Sequence, residues 1–305
     1  MLTTRISVCL SLVLAVACSS GETSDRAAAD SAAAAVTPPP PPTPRLDVGE
    51  TMQFVGGGRL WVRVRGLGAG TPLVLVHGAP GAGSYALKPL EALAEDRNTA
   101  RYDHLGVGKS DPLPDSAAIS IERAVDDLEG LRRALKIEIW HVLGHSYGAA
   151  IASAYAQARP SRVASLVLVN PLLSGAVDSA HASTSIAALS DTVQRGYAAD
   201  LDTLRTTNGQ LVSDALRRAA VDTANRALTV DSVAKSLRAT KIQALVLSGA
   251  DDIAGTKIAR QLATAMPGTK LVVYPKAGPF IAWDKTDAVI KDIRAFLKAM
   301  DDRVK

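Results

Sequence analysis

The sequence predicts an α/β fold built on a mostly parallel sheet with helices on both faces. Three observations lead there. Short apolar runs suited to burial on both faces recur along the chain, and stretches with helical periodicity lie between most of them. Each small-residue or serine-bearing motif follows directly on such a run, at the carboxyl end of a parallel strand, where sites form in sheets of this kind.

The chain opens with an export signal rather than with structure. Arg5 gives a positive start, Ile6 to Val16 is an apolar stretch of eleven residues, and Ala15-Val16-Ala17-Cys18 closes residues 1–18 with small residues before a cysteine. Eleven residues are too few to span a bilayer. The ending resembles the lipobox of bacterial lipoproteins, which implies lipidation at Cys18 and a protein held on the periplasmic or cell-surface side of a membrane; plain secretion is the next alternative and an uncleaved anchor the last. Cys9 falls in the cleaved part, so Cys18 is the one cysteine left and no disulfide can form. Residues 19–44 follow as an Ala/Pro-rich linker ending in Pro38 to Pro42 and Pro44, a composition that buries nothing and extends as a tether.

The remaining body has the composition of a globular enzyme. Across the chain 47% of residues are hydrophobic and 21% charged, enough for a large core. The net charge is only +4 with scattered basic residues, and aromatics make up 4%, which argues against a nucleic-acid partner. With no metal-ligand cluster and no dinucleotide fingerprint, no cofactor and no metal are expected.

Within the body, Leu60 to Arg65 alternates apolar and polar like a half-buried antiparallel strand. Leu73–Val76, Asn98–Tyr102, Ile139–Leu143, Val163–Val169, Ala244–Leu247 and Leu271–Tyr274 read as buried strands. Helical stretches are Tyr85–Ala94, Ile121–Leu135 with Glu122, Arg123 and Asp126 on a polar face, Thr256–Ala265 and Ala288–Met300. Residues 172–240 break the alternation with polar-rich helical material, which leaves a core of residues 45–171 and 241–305.

Gly144-His145-Ser146-Tyr147-Gly148 fits G-x-S-x-G between a strand and the helix that starts at Ala149. That setting presents Ser146 on a sharp turn, with glycines where a close-packed helix leaves no room for Cβ atoms. His77-Gly78-Ala79-Pro80-Gly81 follows another strand, and a small-residue loop there lets backbone N–H groups approach a developing oxyanion; Ala79 and Tyr147 are the expected donors. The Asp103-x-x-Gly106-x-Gly108-x-Ser110 loop lacks Walker spacing and reads as a tight turn on the rim of the site.

Together with Leu245-Val246-Leu247 running into Ser248-Gly249-Ala250-Asp251-Asp252, these motifs resemble the α/β-hydrolase superfamily over residues 50 to 300, and within it the proline iminopeptidase group. Ala79 departs from that group's His-Gly-Gly-Pro-Gly loop. The resemblance implies an eight-stranded, mostly parallel sheet, a helical cap at 172–240, Ser146 as nucleophile and Asp252 as the acid. Asp191, Asp200 and Asp202 of the cap could meet a substrate's amino group, although each also suits a solvated helix.

The family's last triad member is a histidine after the final strand, 27 residues beyond the acid, and here that position is Pro279. All five histidines, at 77, 104, 141, 145 and 181, precede Asp252, whereas the order in this fold is Ser, Asp, His. Of possible substitutes, His181 reads as surface, His104 as a rim residue, His77 and His145 as loop holders and His141 as structural, and Lys276 would need strong desolvation. Without a positioned base a serine hydroxyl is a poor nucleophile. The expectation is an ester or amide hydrolase for small molecules or short peptides with strongly reduced turnover; the alternative is a pseudo-hydrolase that binds a ligand without cleaving it.

Overall fold

The structure is a computed structural model that describes residues 48–78, 83–113, 120–173 and 228–304. Among the described residues seven strands form one sheet: β1 Gly49–Phe54, β2 Arg59–Val76, β3 Arg97–Tyr102, β4 Trp140–His145, β5 Val163–Val169, β6 Ala244–Gly249 and β7 Lys270–Tyr274. The order is β1-β2-β4-β5-β6-β7, with β3 paired to β2.

β2 is long enough to serve twice. Its first half runs antiparallel to β1 and to β3, with Val62 opposite Tyr102 and Arg65 opposite Thr99. After an irregular stretch from Arg65 to Leu73 the facing residues become Leu73–Thr99, Val74–Ala100 and Leu75–Arg101, ascending together, and the same segment pairs in parallel with β4. β3 therefore lies between two arms of one strand. Counted by position, the sheet has the eight places expected for this fold. Gly66 and Gly68 lie in the irregular stretch of β2 between the arms because a Cβ would fall 2.4 Å from Arg97 O at the first and 2.1 Å from the Asp96 carbonyl at the second.

The central strands are apolar throughout because each face meets its own layer of helices. Val74, Val76, Val142, Leu166, Leu168 and Val246 point into one core with helices α1 (Ile121–Ala134), α2 (Tyr147–Ala158), α3 (Val230–Thr240) and α4 (Ile253–Ala265). Their neighbours Leu73, Leu75, Leu143, Val167, Leu245 and Leu247 point to the other, with the 3₁₀ helix Ser84–Glu95 and helices α5 (Ile281–Asp284) and α6 (Thr286–Val304). The period of two along each strand assigns the residues to their layers.

Several boundaries differ from the sequence expectation for identifiable reasons. The segment around Tyr85–Ala94 is a 3₁₀ helix with Pro89 inside it, and proline supplies no N–H to an α-helical ladder. α4 begins at Ile253 rather than Thr256, since the Asp252 side chain accepts the Gly255 N–H at 3.0 Å and caps it three residues earlier. α3 lies at the end of the 172–240 insertion but places Val233, Ala234 and Leu237 in the first core. The rest of that insertion, residues 174–227, and with it Asp191, Asp200, Asp202 and His181, lies outside the described residues, as do the signal and linker segments and Ala79.

Candidate active site

The site begins where β4 turns into α2. Ser146 has φ 54° and ψ −121°, a conformation that costs a non-glycine residue energy and is held by its surroundings. Its N–H donates to Val169 O at 3.0 Å, and its carbonyl accepts from Ala149 N at 2.9 Å and Leu172 N at 3.2 Å. The flanking glycines allow α2 to sit this close to the sheet. A Cβ on Gly144 would lie 2.2 Å from Gly148 O, and one on Gly148 would lie 2.2 Å from Val76 O. Gly78 crosses just above the serine, its own Cβ direction ending 3.2 Å from Ser146 Cβ. The hydroxyl is half-buried and caps no helix N–H, and among the described residues it has no hydrogen-bond partner. Tyr147 opens α2, where the first N–H groups lack intrahelical acceptors and the helix dipole favours negative charge.

Asp252 stands at the end of β6, at the N-terminus of α4. One carboxylate oxygen accepts the Gly255 N–H, and the other accepts Asn170 Nδ2 at 2.8 Å. Asn170 directly follows β5 with φ 44°, is 3% exposed, and also directs Nδ2 toward Gly278 O at 3.5 Å. The loop after β7 closes over this turn: Asp251 N donates to Ala277 O at 2.9 Å, and a Cβ on Gly249 would lie 2.2 Å from Gly278 O.

Pro279 is in that loop, and its carbonyl accepts the Nε2–H of His145 at 2.8 Å. With Nε2 donating, Nδ1 is the lone-pair nitrogen, and it is buried without a hydrogen-bond partner among the described residues. Burial lowers the pKa of His145 and so keeps it neutral, and Phe280 packs 5.5 Å from its ring. The residue preceding the serine thus ties the serine turn to the loop that carries Pro279.

The other described histidines are engaged elsewhere. His77 Nδ1 donates to Gly78 O at 2.9 Å and its Nε2 accepts His104 N–H at 3.0 Å, while His104 Nε2 bonds His77 O at 3.2 Å. Burial lowers both, His104 to about 4. His141, at the opposite end of β4, joins Ser165 Oγ at 2.8 Å to Asp301 at 3.1 Å, with Arg97 3.0 Å from the same carboxylate. This Ser-His-Asp chain has catalytic connectivity but is packed inside the protein, with Ser165 and His141 at zero exposure. Lys276 is exposed, which removes the desolvation that a lysine base would require.

The rim loop is organised by Asp103, whose carboxylate accepts Ser84 N–H at 2.9 Å and Lys109 N–H at 3.0 Å. Gly108 has φ 58°, and a Cβ there would lie 2.2 Å from Asp103 Oδ2, which accounts for the glycine. Among the described residues no group of three or more His, Cys, Asp or Glu side chains could hold a metal ion.

A family model described as the alpha/beta hydrolase fold matches residues 71–232. The chain belongs to the α/β-hydrolase family. It is similar to proline iminopeptidases: that of Heyndrickxia coagulans is 44% identical over 107 residues, which is 35% of this chain and 37% of the relative. A mouse protein named 1-acylglycerol-3-phosphate O-acyltransferase ABHD5 is 39% identical over 127 residues, 40% of this chain and 36% of that one. These alignments span little more than a third of each relative's length. The crystal structure of proline iminopeptidase from Mycobacterium smegmatis superposes with a TM-score of 0.63 at 22% identity, covering 84% of this chain and all of that one, and supports the same fold.

Sequence reasoning missed Asn170 and the bond from His145 to Pro279. The one signal available was that Asn170 is the first polar residue after the apolar run Leu166–Val169.

Proposed function

We propose that this chain is a serine hydrolase of the proline iminopeptidase type, acting on small esters, amides or short peptides, whose catalytic triad lacks its base. Ser146 is the nucleophile, the backbone N–H groups of Ala79 and Tyr147 are the oxyanion donors, and Asp252 is the acid. The observation that carries this reading is the loop after β7, where Pro279 offers a carbonyl already bonded to His145 in place of a side chain able to take a proton.

Triad knockouts leave roughly 10³ to 10⁴ over water, so turnover is about three or more orders of magnitude below that of a complete triad. Pro279→His assayed beside the parent on p-nitrophenyl esters and proline arylamides should be the faster enzyme. Equal rates in the two would defeat the reading.

A second reading, a pocket that binds its ligand without cleaving it, is favoured by the 2.8 Å bond that commits Asp252 to an amide. A fluorophosphonate needs an activated serine: strong labelling at Ser146 favours the enzyme, and no labelling favours the binder.

The amino-terminal sequence further supports export, lipidation at Cys18 and a body tethered by residues 19–44 on the outer side of a membrane. Among the described residues no helix is long and apolar enough to cross a membrane. On this reading Cys18→Ser moves the exported protein from the detergent phase to the aqueous phase in a partition experiment. Retention in the detergent phase would argue for another anchor.

A further inference from the structure

We propose that Asn170 is a positioning residue that has taken the donor place on Asp252 which a triad imidazole would occupy. The proposal rests on the reading of Asp252 as the family's acid. It adds that the base-free site is a settled hydrogen-bonded arrangement, one that Pro279→His alone reverses only in part.

The backbone of Asn170 is the first reason. Its φ of 44° lies in the left-handed region, uncommon for a residue with a Cβ although asparagine tolerates it better than most, and its N–H is fixed to Leu247 O at 2.8 Å. Both constraints aim the side chain across the end of β6. There Nδ2 is 2.8 Å from Asp252 Oδ2, 3.5 Å from Gly278 O and 3.4 Å from Ser248 Oγ. A carboxylate and a carbonyl can only accept, so the amide nitrogen must face them and the assignment follows from chemistry.

The second reason is what this orientation leaves behind. Among the described residues Asn170 Oδ1 is buried and has no hydrogen-bond partner, an arrangement that costs stability and persists only where the Nδ2 bonds outweigh it. The bond to an ionised carboxylate is the strong one of the three.

Geometry supplies the third reason. Asp252 Oδ1 is engaged with Gly255 N–H, so Oδ2 is the oxygen directed to Asn170. The Nδ2 that serves Oδ2 also reaches Gly278 O, one residue before Pro279. An imidazole placed at position 279 therefore approaches Oδ2 from the side where the amide already stands. His145 holds the same loop from beneath through Pro279 O.

The test uses the full mature chain as Pro279→His and as Pro279→His/Asn170→Ala, following the introduced imidazole by NMR titration. A carboxylate partner raises an imidazole pKa, so removing the competing amide should lift the titration midpoint by about one pH unit. The other titratable groups near the loop, His145, Asp251, Lys276 and Asp284, are the same in both variants. The double variant should also exceed the single one in kcat/KM on p-nitrophenyl acetate by about ten-fold, as a base that gains its orienting acid would. A role of Asn170 in stability alone would leave the midpoint where it was, so equal midpoints overturn the proposal. If the alanine variant does not fold, Asn170→Ser makes the same comparison with a shorter polar side chain. The midpoint is read whether or not activity returns: inactivity in both variants counts against the proposed function, and equal midpoints count against Asn170.

Discussion

Gly144→Ala tests whether the turn at Ser146 depends on backbone packed against backbone. The added methyl would lie 2.2 Å from Gly148 O, 2.6 Å from Gly148 C and 2.7 Å from Ala149 Cα, all main-chain atoms at the start of α2. Ordinary contact needs about 1 Å more, and protein interiors hold few voids to absorb such a shift. Neither side can swing away as a flexible side chain would, because α2 is pinned to the sheet again at Gly148, 2.2 Å in the same sense from Val76 O. Overpacking of this kind costs about 1–3 kcal/mol, and a purely main-chain clash belongs at the upper end, about 3 kcal/mol. For a domain of this size that is a fall of about 6–12 °C in Tm. The control is Gly278→Ala, where the nearest atom to the new methyl is Asp284 Oδ2 at 3.9 Å, so the change should stay within about 0.5 kcal/mol. Urea denaturation of both variants beside the parent measures the difference. A Gly144→Ala protein within about 1 kcal/mol of the parent would show that the turn yields easily and that the close packing does not hold the serine in place.

Two further outcomes follow from buried polar groups. Burial holds His77, His104, His141 and His145 below the ordinary imidazole range, so the unfolded chain takes up protons first as pH falls. The stability they contribute is complete above about pH 6.5 and is lost below it, with the His104 share disappearing toward its folded value of about 4. Asp127, raised by burial to about 6, acts in the opposite sense over part of that range, but one carboxylate faces four imidazoles. Urea midpoints should therefore decline from pH 7.5 to 4.5, and a flat profile would contradict the buried neutral assignments. Asp301→Ala should cost about 3 kcal/mol or more, because it strips Arg97 and His141 of their shared carboxylate in a buried setting. Asp302→Ala, one residue on and exposed, should change Tm little; similar losses in the two variants would assign the effect to the helix end rather than to the buried network.

What the sequence conveyed depended on whether a residue's role is local. The central strands announced themselves because each is covered on both faces and so is apolar along its whole length. β1 escaped notice because Gly49 to Phe54 is a short edge strand whose two apolar residues, Met52 and Phe54, are exposed. The sequence shows Leu60–Arg65 and Leu73–Val76 as separate strands, and the reason β2 runs on through Gly66, Gly68 and Gly70 is visible only with Asp96 and Arg97 packed against it. At the site, the Ser146 turn was legible because strand, glycines and helix adjoin in sequence. Asn170 and Asp252 are 82 residues apart, and no pattern along the chain links them.

The double use of β2 also shapes how the sheet can open. A central strand normally has two independent neighbours, and either may fray while the other holds. β3 is gripped on both flanks by the same chain segment, so residues 97–102 can be released only when β2 lets go at Val62–Arg65 and at Leu73–Leu75 together. Their amide protons are thereby tied to the all-or-none opening of the molecule, while β7, which among the described residues is bonded to β6 alone, can exchange by peeling from the margin.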